Sequence, residues 1–465
     1  MSDQGTIGLL LCYVKLYDEV CPPELRQSVE AFAAAIAEEY RRRGVTVKVS
    51  AVCRTADEFQ EAVTGFEHDR VDALVSLHLA YSPSLASIDA VAASSLPLIV
   101  LDTTPSSRFG FDQTAEQIMF NHGIHGVQDF CNLLRRRGKS FQIAAGHWQQ
   151  SDVIDRTVAM LQGYRAAAAI RTARVGILGQ PFAGMGDFAL PFEDFRREIG
   201  FEVISATSEA LAAKMPSPDD PTCEQETATD RKQFRDGGFT ASALAQTEAA
   251  GLAVRRWMTE QQLSALTINF QNITGAPGLP VVPFLEASKT MARGLGYAGE
   301  GDVLTAALCR GLLTVNPATS FTEMFCPDWE ANRIFLSHMG EIHLGLTAET
   351  PLLEQRPYPF SAAGEPVIAS GCFRSGRVCL LNLAPGPDHT FLLTAIHGDM
   401  EFPSDGQTAI DRGIRGWFRP DRPLPELLAE YSRLGGTHHL LASYDLNPMI
   451  AAALAAVMNW NYRLL

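Results

Sequence analysis

Five short β-rich runs, Ile7 to Val14, Val45 to Val52, Ala73 to Leu79, Leu98 to Leu101 and Phe141 to Ala145, are separated by helical stretches between residue 6 and about 148. This alternation constrains the fold strongly, because consecutive strands joined by helical crossovers lie parallel in one sheet. Pro23 to Arg43 illustrates one crossover: Pro near the first helical turn, Arg41 to Arg43 at the end, and Gly44 as a stop. Helices then cover both faces of the sheet, and ligands are expected outside the carboxyl ends of its strands. The basic clusters Arg41 to Arg43 and Arg135 to Lys139 both close helical stretches, where positive charge stabilises the helix end.

A second α/β unit is predicted from Ala173 to Gly179 onward, through Glu202 to Ala206 and Ala265 to Phe270. Its first strand enters Gly179-Gln-Pro-Phe-Ala-Gly-Met-Gly-Asp187, which has neither the Gly-x-Gly-x-x-Gly spacing nor a Walker lysine, so no nucleotide site is predicted there. Lys214 to Gly238 carries Pro, Asp and Glu without an apolar period and is expected to be a long exposed loop or lid. Past residue 317, Cys372 to Leu383 reads as a hairpin turning at Ser375-Gly376 and Thr390 to His397 as another strand. The chain is expected to close with a helix over Ile450 to Trp460, capped by Asn447 with Pro448 in its first turn. The predicted class is therefore α/β: two consecutive Rossmann-like parallel-sheet domains, 1–172 and 173–316, followed by a β-rich C-terminal domain with a closing helix, 317–465. A chain of 465 residues exceeds what one core usually serves, which agrees with several domains.

The formal charge of -15 argues against nucleic acid or an anionic membrane as partner, since both attract positive surfaces. A small neutral or cation-assisted ligand is the better expectation. Met1-Ser-Asp-Gln-Gly-Thr6 has no basic leader and the apolar run Ile7 to Val14 is too short to span a bilayer, so a cytoplasmic location is predicted. Nine widely spaced cysteines, an odd number, fit reduced thiols, with Cys326 a candidate for lining a site because it stands three residues from Glu323.

Glu300, Glu323, His338 and His439 are of the types that hold a divalent metal while carboxylates handle protons. Glu300 lies in the turn Tyr297-Ala-Gly-Glu-Gly-Asp302, which opens an apolar helical stretch, so it reads equally as a helix-capping acid. Glu323 lies in an apolar segment, where a buried carboxylate needs a cation or donors. His338 reads either as a ligand or as a hydrogen-bonded core histidine. His438 and His439 adjoin on an extended segment, whose side chains alternate, so at most one of them is expected to be a ligand. Their spacing matches no local metal motif.

The passages Gly296 to Leu308, Ser320-Phe-Thr-Glu323, Leu336-Ser-His-Met339 and Gly435-Gly-Thr-His-His439 resemble the L-arabinose isomerase family in order and spacing, and the L-fucose isomerases more distantly. Asn121-His-Gly-Ile-His-Gly126 and Gly146-His-Trp148 are similar to that family's N-terminal motifs, so the likeness covers nearly the whole chain. The resemblance implies a cytoplasmic aldose–ketose sugar isomerase working through an enediol, with Glu300, Glu323, His338 and His439 as ligands of a divalent metal, usually Mn²⁺. It implies that Glu300 and Glu323 also transfer protons. His125 is implied to reach the sugar from a neighbouring subunit of a homo-oligomer, commonly a hexamer, and His438 stands as a further substrate-binding candidate. Met324-Phe-Cys-Pro327, His343 and the stretch Gly364 to Pro403 differ from the family, which leaves the sugar open. A non-catalytic carbohydrate-binding protein, or another metal-dependent transformation such as epimerisation, are the alternative functions on the same fold.

Overall fold

A computed structural model describes residues 4–217, 220–276, 278–403, 406 and 408–465. The chain packs as two compact units, one made of 1–165 with 449–457 and the other of 166–448 with 458–465.

In the first unit β1 (Thr6–Cys12), β2 (Thr46–Cys53), β3 (Ala73–His78), β4 (Leu98–Asp102) and β5 (Gln142–Ala145) form one sheet in the order β2-β1-β3-β4-β5. Every pairing is parallel, as the alternation required. The central strands β1 and β3 are buried almost throughout, whereas the edge strand β2 leaves much of its length exposed. The helix Pro23–Arg42 turns Leu25, Val29, Phe32, Ile36 and Tyr40 inward at helical spacing, with Pro at its start. Thr55 and Glu58 close a capping box on the next helix, Ala56–His68. Separate apolar cores use alternate residues of β1, for example Ile7 and Leu9 in one and Leu10 and Cys12 in the other, so both faces of the sheet are covered.

The second unit holds a parallel sheet and a mixed one. β6 (Arg174–Leu178), β7 (Glu202–Ala206), β9 (Ala265–Ile268) and β10 (Gly296–Gly299) run parallel in the order β10-β9-β6-β7, while the two-residue β8 (Arg235–Asp236) belongs to the other sheet. The C-terminal strands are β11 (Thr319–Asp328), β12 (Arg333–Ser337), β13 (Leu352–Gln355), β14 (Val367–Cys372), β15 (Gly376–Pro385), β16 (Phe391–Glu401), β17 (Ile414–Pro420), β18 (His439–Tyr444) and β19 (Asn461–Leu464). Six of them, β16-β15-β18-β11-β12-β17, are antiparallel neighbours in turn, and β17 pairs back onto β16, so the β-rich region closes into a barrel. Leu336, Val378, Leu380, Ile396, Phe418 and Leu440 belong to the core packed with it. The α/β class with a β-rich C-terminal region is thus as predicted.

Three local expectations are corrected. Cys372 to Leu383 is not a hairpin: β14 pairs with β13 and β17, whereas β15 pairs with β16 and β18, so the chain changes partners at the supposed turn. Lys214 to Gly238 is not a loop in its described residues. The helix Pro221–Gln233 fills it, started by Asp220 and Pro221, and β8 pairs with β13. This helix has no apolar stripe because ion pairs anchor it: Lys289 Nζ lies 3.0 Å from Glu226 and 2.6 Å from buried Asp230. Finally, the helix Pro448–Met458 does not end the chain, since β19 follows and pairs with β16.

Candidate active site

Glu300 follows β10, at the carboxyl end of the parallel sheet where an α/β fold places ligands. Its φ of 61° is left-handed, a strained conformation for a side chain larger than glycine. The strain is held in place by its own amide, which donates to Ile268 O at 2.7 Å, and by its carbonyl, which accepts from Phe182 N at 2.9 Å. The capping role belongs to Asp302, whose Oδ1 accepts from Thr305 N at 2.9 Å. Glu300 is thereby left for the pocket. Burial pushes its carboxyl up, but the imidazoles of His438 and His439 outweigh this and hold it well below the usual carboxylate range.

The barrel supplies the other groups. Antiparallel register places Glu323 of β11 opposite both Ser337 of β12 and His439 of β18, while His338 immediately follows β12. Five of the predicted site residues converge: His439 Nε2 lies 3.5 Å from Glu300, His438 Nε2 is 3.3 Å from Glu300 and 3.9 Å from Glu323, and His338 Nε2 is 4.0 Å from Glu323. Phe321 sits edge-on to both His338 and His439, at 4.8 and 5.0 Å between ring centres.

Each imidazole is oriented from behind by a carboxylate that the sequence analysis did not single out. His338 Nδ1 lies 2.8 Å from Glu341, His439 Nδ1 2.9 Å from Asp302, and His438 Nδ1 2.6 Å from Asp187. Tyr297 donates its hydroxyl to Glu341 in turn. The available signals were short spacings, two residues from Glu300 to Asp302 and three from His338 to Glu341; Asp187 closes the glycine-rich turn after β6 and had no such signal. Desolvation lowers the imidazoles, but these carboxylates dominate, raising His338 to about 9 and His438 to about 10 and raising His439 as well.

His438 and His439 do not diverge as expected. His438 precedes β18, so strand alternation does not apply to it, and the two rings lie 4.2 Å apart at 46°. Phe188 stacks on His439 at 5.2 Å. Glu300, His438 and His439 together could hold a metal ion, with ligand atoms all within 4.8 Å of one another. The donor set suits a divalent ion further: Nε2 of His338 and of His439 are buried and have no hydrogen-bond partner among the described residues, while their Nδ1 atoms are tied to carboxylates.

The remaining candidates lie elsewhere. His125 belongs to the first unit, where its Nδ1 is 2.6 Å from His122 Nε2. Cys326 is exposed, and all nine cysteines are free. His343 spends its ring on a turn, accepting from Gly345 N at 3.1 Å.

A carboxylate–imidazole centre on an α/β fold is the equipment of an enzyme, and its relatives place this one among the aldose–ketose sugar isomerases. The chain belongs to the L-arabinose isomerase family. Residues 10–174 match the L-arabinose isomerase N-terminal domain and residues 219–317 the L-arabinose isomerase central domain. It is 26% identical to the L-arabinose isomerase of Herpetosiphon aurantiacus over 411 residues, 84% of this chain and 79% of the relative. Against that of Halalkalibacterium halodurans it is 24% identical over 431 residues, 87% of this chain and 82% of the other. The enzyme of Shewanella sp. (strain MR-4) aligns over 321 residues at 26% identity, 66% of this chain but only 61% of the relative.

Proposed function

We propose that the protein is a metal-dependent aldose–ketose isomerase that moves hydrogen between C1 and C2 of a sugar through an enediol. The observation that carries this reading is the pair of buried, unpartnered Nε2 atoms of His338 and His439 facing the carboxylate side chains of Glu323 and Glu300. Glu300, Glu323, His338 and His439 would hold the ion, with Mn²⁺ the choice by family likeness and His438 beside them as a sugar-binding or additional ligand group. When bound, a divalent ion supplies Lewis-acid stabilisation of the negative charge that builds on the sugar oxygens.

The residues do the proton work. One glutamate takes the proton from C2 of the open-chain aldose and returns it to C1, while the other takes the O2 proton and gives one to O1, so the product is an isomer with no net gain or loss of atoms. A buried carboxylate can act as base here because its neighbours set its protonation rather than bulk water. Phe188 and Phe321 pack against the imidazoles and limit water around the reacting atoms.

The organisation proposed with this function is a homo-oligomer, a hexamer by family likeness, in which His125 of one copy reaches the sugar of another. A cytoplasmic location is proposed with it; among the described residues no helix is long and apolar enough to cross a membrane. Incubation of Mn²⁺-loaded protein with pentoses, hexoses and deoxy sugars in deuterated water tests the reading. Deuterium entering C1 or C2 of an aldose–ketose pair supports it. Epimer without ketose, or no exchange with any sugar, refutes it.

A further inference from the structure

Beside His338, and wholly within the second unit, lies a cavity of about 310 Å³ whose lining includes His338, Phe325, Tyr358, Phe360, Arg356 and Arg412. This is near the lower end of the ~300–1,000 Å³ typical of small-molecule pockets. Part of the wall is aromatic. Tyr358 meets Phe270, Phe284 and Phe360 edge-on, at 5.6, 5.1 and 5.5 Å between ring centres. Rigid rings of this kind suit the CH face of a sugar. The Tyr358 hydroxyl is buried and has no partner among the described residues, which leaves a donor for a ligand oxygen.

The charged part of the lining is one-sided. Arg356 and Arg412 are present, and among the described lining residues there is no carboxylate. In a chain with formal charge -15, a pocket of that composition is selective. Both guanidinium groups approach the same buried Glu354, at 3.5 and 3.3 Å. Glu354 also accepts from the Gly413 amide at 3.1 Å, so it is satisfied without needing two arginines. Among the described residues Glu354 is the one carboxylate in ion-pair range of the two guanidinium groups, which leaves a positive charge. The arginine side chains are 44% and 56% exposed, so incoming ligand can reach their outer N–H groups. Planar guanidinium forks of this type match carboxylate and phosphate oxygens.

We infer that this pocket takes a sugar carrying an anionic group, a carboxylate or a phosphate, which Arg356 and Arg412 hold while the carbonyl end lies toward His338. The inference rests on the isomerase reading for the identity of the ligand as a sugar. It deepens that reading by naming the substrate class: an acidic or phosphorylated aldose in place of a neutral one.

Calorimetric titration of the full chain with sorbitol, gluconate and sorbitol 6-phosphate tests it, since these six-carbon polyols differ chiefly in terminal charge. One or both anions should bind at least tenfold more tightly than sorbitol, the preference between them identifying the group. The advantage should shrink as salt is raised. Arg356→Gln and Arg412→Gln should each reduce the anion advantage several-fold, and Arg356→Lys and Arg412→Lys should restore part of it, which separates lost charge from lost folding. Equal affinity for all three polyols, a uniform loss in the Gln variants that Lys does not repair, or no binding of either anion at millimolar concentration would overturn the inference. Deuterium exchange with neutral sugars in the absence of any anion preference would sink this pocket assignment alone and leave the isomerase reading standing.

Discussion

Gly299 and His338 are matched in shape: a Cβ on Gly299 would lie 2.5 Å from Cε1 and 2.8 Å from Nε2 of the imidazole. The ring is pinned on its other side by Glu341 at 2.8 Å, so it has no room to retreat without giving up that partner.

Gly299→Ala is therefore expected to displace His338 while leaving the sheet intact. Misplacement of a catalytic group by about 1 Å can cost ~10²-fold in rate. Turnover should fall by about that factor, with Mn²⁺ affinity falling as well and far-UV circular dichroism unchanged. Wild-type affinity and turnover in Gly299→Ala would show that the close contact is not functional.

Asp187 fixes His438 twice, accepting from its amide at 3.1 Å and lying 2.6 Å from its Nδ1. Partners that orient a site imidazole commonly contribute ~10–100-fold in metal affinity or activity. Asp187→Ala should lower kcat/KM by about that amount, and Asp187→Glu should recover part of it. A change confined to thermal stability would mark Asp187 as a structural residue.

Glu300→Gln and Glu323→Gln should each abolish deuterium exchange into the sugar. The readout must include bound metal, because in the proposed centre either variant also loses a ligand charge. Exchange retained in a variant that still holds its metal would exclude that glutamate from proton transfer. Chelation of the wild type should both stop exchange and lower the melting temperature, the second effect following from a ligand that binds only the folded state.

His78, at the end of β3, is 2% exposed, and neither of its ring nitrogens has a hydrogen-bond partner among the described residues. Burial pushes its imidazole down to about 4, with Asp129 opposing weakly. The unfolded value is ~6.5, so the folded state favours the neutral ring. Its contribution is complete above pH ~6.5 and is lost as pH falls toward the folded value, with a full span of about 3 kcal/mol. Melting temperatures between pH 7 and 4.5 should fall more steeply for the wild type than for His78→Gln. Parallel curves would rule out His78 as a source of acid sensitivity.

Parallel-sheet architecture was legible because its signals are local: periodic apolar runs, Pro23 at a helix start, and Gly44, with φ 79°, at a helix end. The helix Pro221–Gln233 was not legible, since Lys289, distant in sequence, pairs with its half-buried Glu226 and buried Asp230. The exchange of strand partners near Phe373 was hidden for the same reason. β14 and β15 have the composition of hairpin strands, and only long-range pairing assigns them to different neighbours.

Residue chemistry and motif order were enough to nominate Glu300, Glu323, His338 and His439 and to place them in one family. The sequence also placed Glu300 in a turn opening a helix, but that this turn follows a parallel strand, Gly296–Gly299, was visible only in the structure. Tertiary structure decided what those residues face. The left-handed turn at Glu300, the convergence of both His438 and His439, and the carboxylates of Asp187, Asp302 and Glu341 behind the imidazoles depend on contacts between a sheet and a barrel far apart in the chain. Local propensity governs which elements form, but distances of about 3 Å between side chains are set by how those elements pack.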